Sequence, residues 1–141
     1  MYFDIGGSHY REAVILAKLG IEYFRTGLER IDPETGKFRF GVKQDDQLEG
    51  KKGLDKALEW MLSGKLDVLV LDEICVSASL GIISTADVLK LMASKPKKLE
   101  LILTGRDAPK EICDRADLVT EMSIVKHYFY EGAPAREGLD Y

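Results

Sequence analysis

The segment from Ser8 to Leu19 carries apolar residues at Ala13, Val14, Leu16, Ala17 and Leu19, with a Ser8 N-cap and Gly20 as a stop, which predicts a helix. Ile21-Glu22-Tyr23-Phe24 reads as a short extended piece, and Gly27 to Gly41 as a loop or hairpin built around Asp32-Pro33-Glu34-Thr35-Gly36. From about Asp45 to Leu62, the spacing of Leu48, Leu54, Ala57, Leu58 and Met61 predicts a second helix, closed by Ser63-Gly64-Lys65. Trp60 lies inside that pattern and reads as core.

A different signal follows. Leu66-Asp67-Val68-Leu69-Val70-Leu71 is a nearly unbroken apolar run, which suits a parallel strand covered on both faces. Ser84-Thr85-Ala86-Asp87 resembles a capping box opening a helix through Met92, which Ser94-Lys95-Pro96 closes. Leu99 to Thr104 predicts another strand, Asp107-Ala108-Pro109 the start of another helix, and Leu118 to Met122 a last strand. Strand alternating with helix implies an α/β layer structure with a mainly parallel sheet.

Composition narrows the function classes. The 141 residues suit one domain, with no repeat or linker in view. Hydrophobic residues are 45% and charged residues 31% of the chain, and 20 Lys and Arg against 24 Asp and Glu leave a net charge of −4. A mildly acidic chain without a basic run has no footprint for a phosphate backbone, so nucleic acid is not an expected partner. No apolar run approaches the roughly 18 residues that would span a bilayer, and Met1-Tyr2-Phe3-Asp4 does not read as a secretory signal. The expectation is a soluble, cytoplasmic protein. Cys75 and Cys113 lack metal-site spacing and read as buried small hydrophobes.

The candidate chemistry sits at two strand ends. Asp72-Glu73 follows four apolar residues, at the position where open α/β sheets place ligands. This is the Walker B pattern, in which a rigid strand end fixes a carboxylate for magnesium while phosphate oxygens and water complete the octahedron. The bland alternative is an acid pair that opens a solvated loop. Thr104-Gly105-Arg106 closes the next strand with a hydroxyl, a close-approach glycine and a guanidinium suited to phosphate or carboxylate. Its bland reading is a turn with an exposed arginine. Complementary groups on two strand ends favour a shared site over either alone.

The ordered set Leu71-Asp72-Glu73, Leu101 to Arg106, Ala116 to Met122, and the tail Val125-Lys126-His127-x-Phe129-x-x-Gly132-x-x-Ala135-x-x-Gly138-x-Asp140-Tyr141 resembles the P-loop-type corrinoid adenosyltransferases. The likeness runs from about Asp67 to the C-terminus. Phe3-Asp4-x-Gly6-Gly7-x-His9-Tyr10 is similar to a segment that follows the second strand in that family.

The resemblance implies a RecA-like, P-loop NTPase-type three-layer fold, often dimeric, acting on MgATP and a reduced corrinoid in adenosylcobalamin biosynthesis. It implies attack of Co(I) on the ribose 5′ carbon of ATP and departure of triphosphate. No protein nucleophile is needed, so the task is positioning and charge stabilisation. Carried over by position, Asp72 or Glu73 holds Mg2+, and Thr104, Gly105 and Arg106 line the nucleotide or corrinoid side. For His127 a hydrogen bond closing the C-terminal fold is preferred to cobalt ligation. Lys126 and Arg136 reach a ligand or are surface charges. A reductase protein and a second copy of the chain are the other partners the resemblance admits.

Relatives precede this region with a strand, a Gly-rich loop, a helix and a second strand, and no G-x-x-x-x-G-K-S/T string occurs in the 141 residues. The expectation is therefore one adenosyltransferase-like domain over residues 1–141 that lacks the first strand-loop-helix. A start at an internal methionine, or self-association that covers the gap, accounts for this better than degeneration. On the corrinoid side, Gly27 to Gly41 offers Phe38 and Phe40 but no tryptophan. Two rival functions remain: a non-catalytic corrinoid-binding protein that has lost the triphosphate site, and an interaction domain in which Asp72 and Arg106 form an internal ion pair.

Overall fold

The computed structural model describes residues 2–3, 12–30, 34–35, 37 and 39–134. The chain is mixed α/β, and its parallel ladder brings β3 (Val68–Leu71) beside β4 (Glu100–Leu103). Their register pairs Val68 with Glu100 and Leu71 with Leu103, so both strands end level. A second, very short parallel pair joins β1 (Tyr2–Phe3) to β2 (Arg25–Thr26), with α1 (Glu12–Lys18) between them. Residues 8–11 of the predicted first helix, and the two glycines before it, lie outside the described residues. The extended piece anticipated at Ile21 to Phe24 becomes a ladder only at Arg25–Thr26.

Helix α2 (Gln44–Leu62) buries a stripe made of Asp46, Gly50, Gly53, Ala57 and Met61, which repeats at helical spacing. Its small residues permit close approach. A Cβ at Gly50 would stand 2.7 Å from Ile83 Cγ2 and 2.9 Å from Ile82 Cγ2. Leu48, expected on the inner face, is instead exposed. Trp60 is half-buried at the margin of the core, edge-on to Phe24 at 6.4 Å and under Lys56 Nζ at 5.8 Å.

Helix α3 (Ile74–Ser79) follows β3 directly. Helix α4 (Thr85–Ala93) begins where expected, with Ser84 Oγ accepting a 3.1 Å hydrogen bond from the Asp87 amide. Helix α5 (Lys110–Arg115) starts just after Pro109. The core gathers Ala57 and Met61 of α2, Leu69 and Leu71 of β3, Ile74, Cys75 and Ala78 of α3, Val88 and Leu91 of α4, and Ile112 of α5. Cys75 is buried as expected, while Cys113 is only half-buried.

Two expectations about strands are corrected. The unbroken apolar run at β3 implied cover on both faces, yet burial alternates: Leu69 and Leu71 are buried, while Val68 and Val70 are 50% and 38% exposed. Ile102 of β4 is 46% exposed as well, so one face of the sheet carries no packed layer among the described residues. Leu118 to Met122 is not a strand. A strand needs a neighbour for its backbone N–H and C=O groups, and no described strand lies beside this segment; Leu118 and Met122 are 84% and 93% exposed.

Candidate functional site at the ends of β3 and β4

Because β3 and β4 run parallel and in register, the residues that follow them emerge side by side. Thr104 donates its amide N–H to the Leu71 carbonyl at 3.2 Å, extending the ladder by one bond. Its hydroxyl then donates to Asp72 Oδ1 and accepts a 3.0 Å bond from the Glu73 amide. Its carbonyl accepts from the Cys75 amide at 3.1 Å. One threonine thus ties four residues of the β3–α3 junction to the end of β4.

Glu73 turns that junction with φ 60° and ψ 15°, left-handed values that cost a non-glycine residue about 1 kcal/mol or more. Asp72, Glu73 and Thr104 are half-buried, whereas Gly105 and Arg106 are exposed. Gly105 adopts φ 130°, a region open to glycine and closed to most side chains. Behind them, burial pushes the Cys75 thiol up, so it remains a protonated, packed hydrophobe.

The structure therefore joins Asp72, Glu73 and Thr104 in one hydrogen-bonded corner. Arg106 stands on the adjoining turn but makes no ion pair or hydrogen bond among the described residues. An Asp72–Arg106 ion pair, one of the rival expectations, is not formed: the carboxylate is engaged by Thr104 instead. His127 Nδ1 accepts a 3.1 Å bond from the Phe129 amide and so caps the short 3-10 turn Tyr128–Glu131. Lys126 reaches Glu131 at 3.2 Å on the surface, and Arg136 lies outside the described residues.

A second polar cluster escaped the sequence reading. Arg39 grips Asp46 with two hydrogen bonds, Nη1 to Oδ2 at 2.9 Å and Nη2 to Oδ1 at 2.7 Å, and the Lys43 amide donates to Oδ2 at 2.7 Å. Arg30 is buried beside them, donating to the Gly41 carbonyl at 3.1 Å, with its Nη2 3.6 Å from Asp46 and no hydrogen-bond acceptor. The Arg39 bonds, helped by Lys43 and Arg30, hold the Asp46 carboxyl down at about 2. This cluster staples the loop after β2 to the start of α2. Its only sequence signal is an aspartate falling on the buried stripe of α2. A cavity of about 520 Å3 between α2 and α4, lined by Leu54, Leu58, Ile83 and Leu91 with Lys51 and Asp87 at its rim, does not include Asp72 or Thr104.

Comparison with known proteins gives this corner its context. Residues 3–141 match the family described as ATP:corrinoid adenosyltransferase BtuR/CobO/CobP. The chain belongs to that family. An uncharacterised protein of Nostoc sp. is 43% identical over 108 residues, covering 76% of this chain and 27% of its own length. A corrinoid adenosyltransferase of Sinorhizobium sp. is 34% identical over 97 residues, covering 68% of this chain and 45% of its own. The corrinoid adenosyltransferase CobA of Salmonella typhimurium is 36% identical over 76 residues, covering 54% and 39%. The chain thus spans half or less of the length of these relatives. No helix among the described residues is long and apolar enough to cross a membrane.

Proposed function

We propose that the chain serves the transfer of the 5′-deoxyadenosyl group of ATP to Co(I) of a corrinoid. The observation that carries this reading is the Asp72–Thr104 corner at the level ends of two parallel strands, in a member of the adenosyltransferase family. In that reaction the cobalt supplies an electron pair, a Co–C5′ bond forms, the C5′–O bond to the triphosphate breaks, and triphosphate leaves with the released pair. No proton has to move in that exchange, so the protein contributes position and charge rather than acid-base chemistry.

The donor set suits Mg2+. Asp72 and Glu73 offer hard carboxylate oxygens at a fixed strand end, and the Thr104 hydroxyl holds Asp72 Oδ1 there. A cation that takes one or two carboxylates and leaves the rest of its shell to phosphate and water fits such a corner. When bound, Mg2+ would neutralise charge on the triphosphate. In this reading Gly105 and Arg106 form the nucleotide-side turn, whose exposed guanidinium would pair phosphate oxygens, while the Thr104 hydroxyl ahead of them is turned to Asp72. The RecA-like arrangement, one domain over residues 1–141, a self-associated form and a reductase partner belong to the same reading.

The test is anaerobic adenosylation of cob(I)alamin by this chain with MgATP, followed as loss of the Co(I) absorbance beside an Arg106→Ala variant. Turnover that disappears in the variant is the expected result. A folded chain that binds corrinoid with no response to MgATP would replace catalysis with the binding-only alternative, and a chain that binds neither would overturn the reading.

A further inference from the structure

We infer that Thr104 is a positioning residue for the carboxylate of Asp72, and that its hydroxyl is not a direct contact for the nucleotide or the corrinoid. The inference rests on the reading of Asp72 as a magnesium ligand.

A threonine hydroxyl has one proton to donate and two lone pairs. In Thr104 the proton goes to Asp72 Oδ1 and one lone pair to the Glu73 amide. Most of its capacity is spent inside the protein. Threonine is also stiff about χ1, and the flanking bonds from Thr104 N to Leu71 O and from Cys75 N to Thr104 O fix its backbone at 3.2 and 3.1 Å. The hydroxyl is therefore a fixed point from which the Asp72 carboxylate is aimed.

The carboxylate divides its work in consequence. Oδ1 is committed to Thr104, while Oδ2 accepts no hydrogen bond among the described residues and is the oxygen left for a cation. The same hydroxyl holds the Glu73 amide in its left-handed turn, so the second acid of the pair takes its place from Thr104 as well. Hydrogen-bonded partners of metal-ligating carboxylates set ligand orientation, and their loss typically costs 10- to 100-fold in metal affinity or activity.

The experiment measures binding of trinitrophenyl-ATP by fluorescence with saturating Mg2+ and again with EDTA, so that the gain in affinity due to the metal is read separately from the affinity for the nucleotide. Asp72→Ala, Thr104→Val and Thr104→Ser are compared with the parent chain after a melting curve shows each to be folded. Thr104→Ala stands in for valine if the methyl is not tolerated. Removing the hydroxyl is expected to cut the metal-dependent gain about tenfold while leaving the EDTA affinity unchanged, and serine is expected to restore the gain to within about threefold. A metal-dependent gain that survives Asp72→Ala sinks the magnesium reading itself. If Asp72→Ala loses the gain and Thr104→Val keeps it, that reading stands and the positioning role falls. Equal losses in serine and valine, or a fall in EDTA affinity with valine, would also overturn the role assigned to the hydroxyl.

Discussion

Gly105 lies against the first turn of α3 so closely that a Cβ added to it would stand 2.9 Å from the Val76 amide nitrogen and 3.0 Å from Cys75 Cβ. The obstacle is backbone, which cannot swing aside as a side chain can. Its φ of 130° adds a conformational cost for any other residue. Gly105→Ala is therefore expected to lower stability by about 1–3 kcal/mol. Relief would come by pushing the end of β4 away from α3, so the bond from the Cys75 amide to the Thr104 carbonyl should weaken first. Faster hydrogen exchange at the Cys75 amide, with α2 amides little changed, is the signature to look for.

Asp46 gives a pH dependence with a definite sign. Its carboxyl is held at about 2, below the ordinary value of 3.8, chiefly by the two Arg39 bonds. The unfolded chain therefore binds this proton more readily than the native one. The stabilisation is complete above pH ~4, is lost as pH falls through about 2, and amounts to on the order of 2 kcal/mol for a shift of this size. Asp46→Asn should remove that part of the acid limb and also lower neutral-pH stability, since Arg30 would remain buried without its counter-charge. Urea melts of both proteins between pH 2 and 7 check it: parallel pH profiles would refute the assignment.

Burial alternates along β3, so adjacent truncations should separate sharply. Leu71 is fully buried at the base of the Asp72 corner, and Leu71→Ala should cost about 2–5 kcal/mol. Val68 is 50% exposed, and Val68→Ala should cost under about 1 kcal/mol. Comparable losses in denaturant melts would mean that the outer face of the strand is covered in solution.

Much of this architecture is legible in the chain itself, and the failures have physical causes. The Ser84 cap, α2 and both core strands announce themselves because period, capping chemistry and apolar runs all agree there. Helix α3 does not, since six residues are too few to display a helical period. The covering of β3 is not legible because an apolar run records what a strand tolerates, and burial depends on which layers lie against it. Leu118 to Met122 has strand composition without a partner among the described strands, and propensity yields to the absence of a ladder there. At the site, strand-end logic brought Asp72 and Thr104 to one place. It could not say that the hydroxyl turns inward to the carboxylate, because a hydroxyl's rotor is chosen by neighbours more than 30 residues away in the chain.

Asp72→Asn isolates charge from shape at that corner. An amide oxygen can still accept from the Thr104 hydroxyl, so the apo protein should melt within about 1 kcal/mol of the parent. The negative charge that suits a divalent cation is gone, however, and with it, on the proposed reading, the preference for the metal-nucleotide pair. For the parent, ligand at 100 times its Kd adds about 2.7 kcal/mol to stability. At the same MgATP concentration the variant should lose most of that gain, measured as the shift in melting temperature on adding MgATP. An apo variant that melts far below the parent would show Asp72 to be structural first. An equal shift in both proteins would show that the carboxylate takes no part in holding the metal-nucleotide pair.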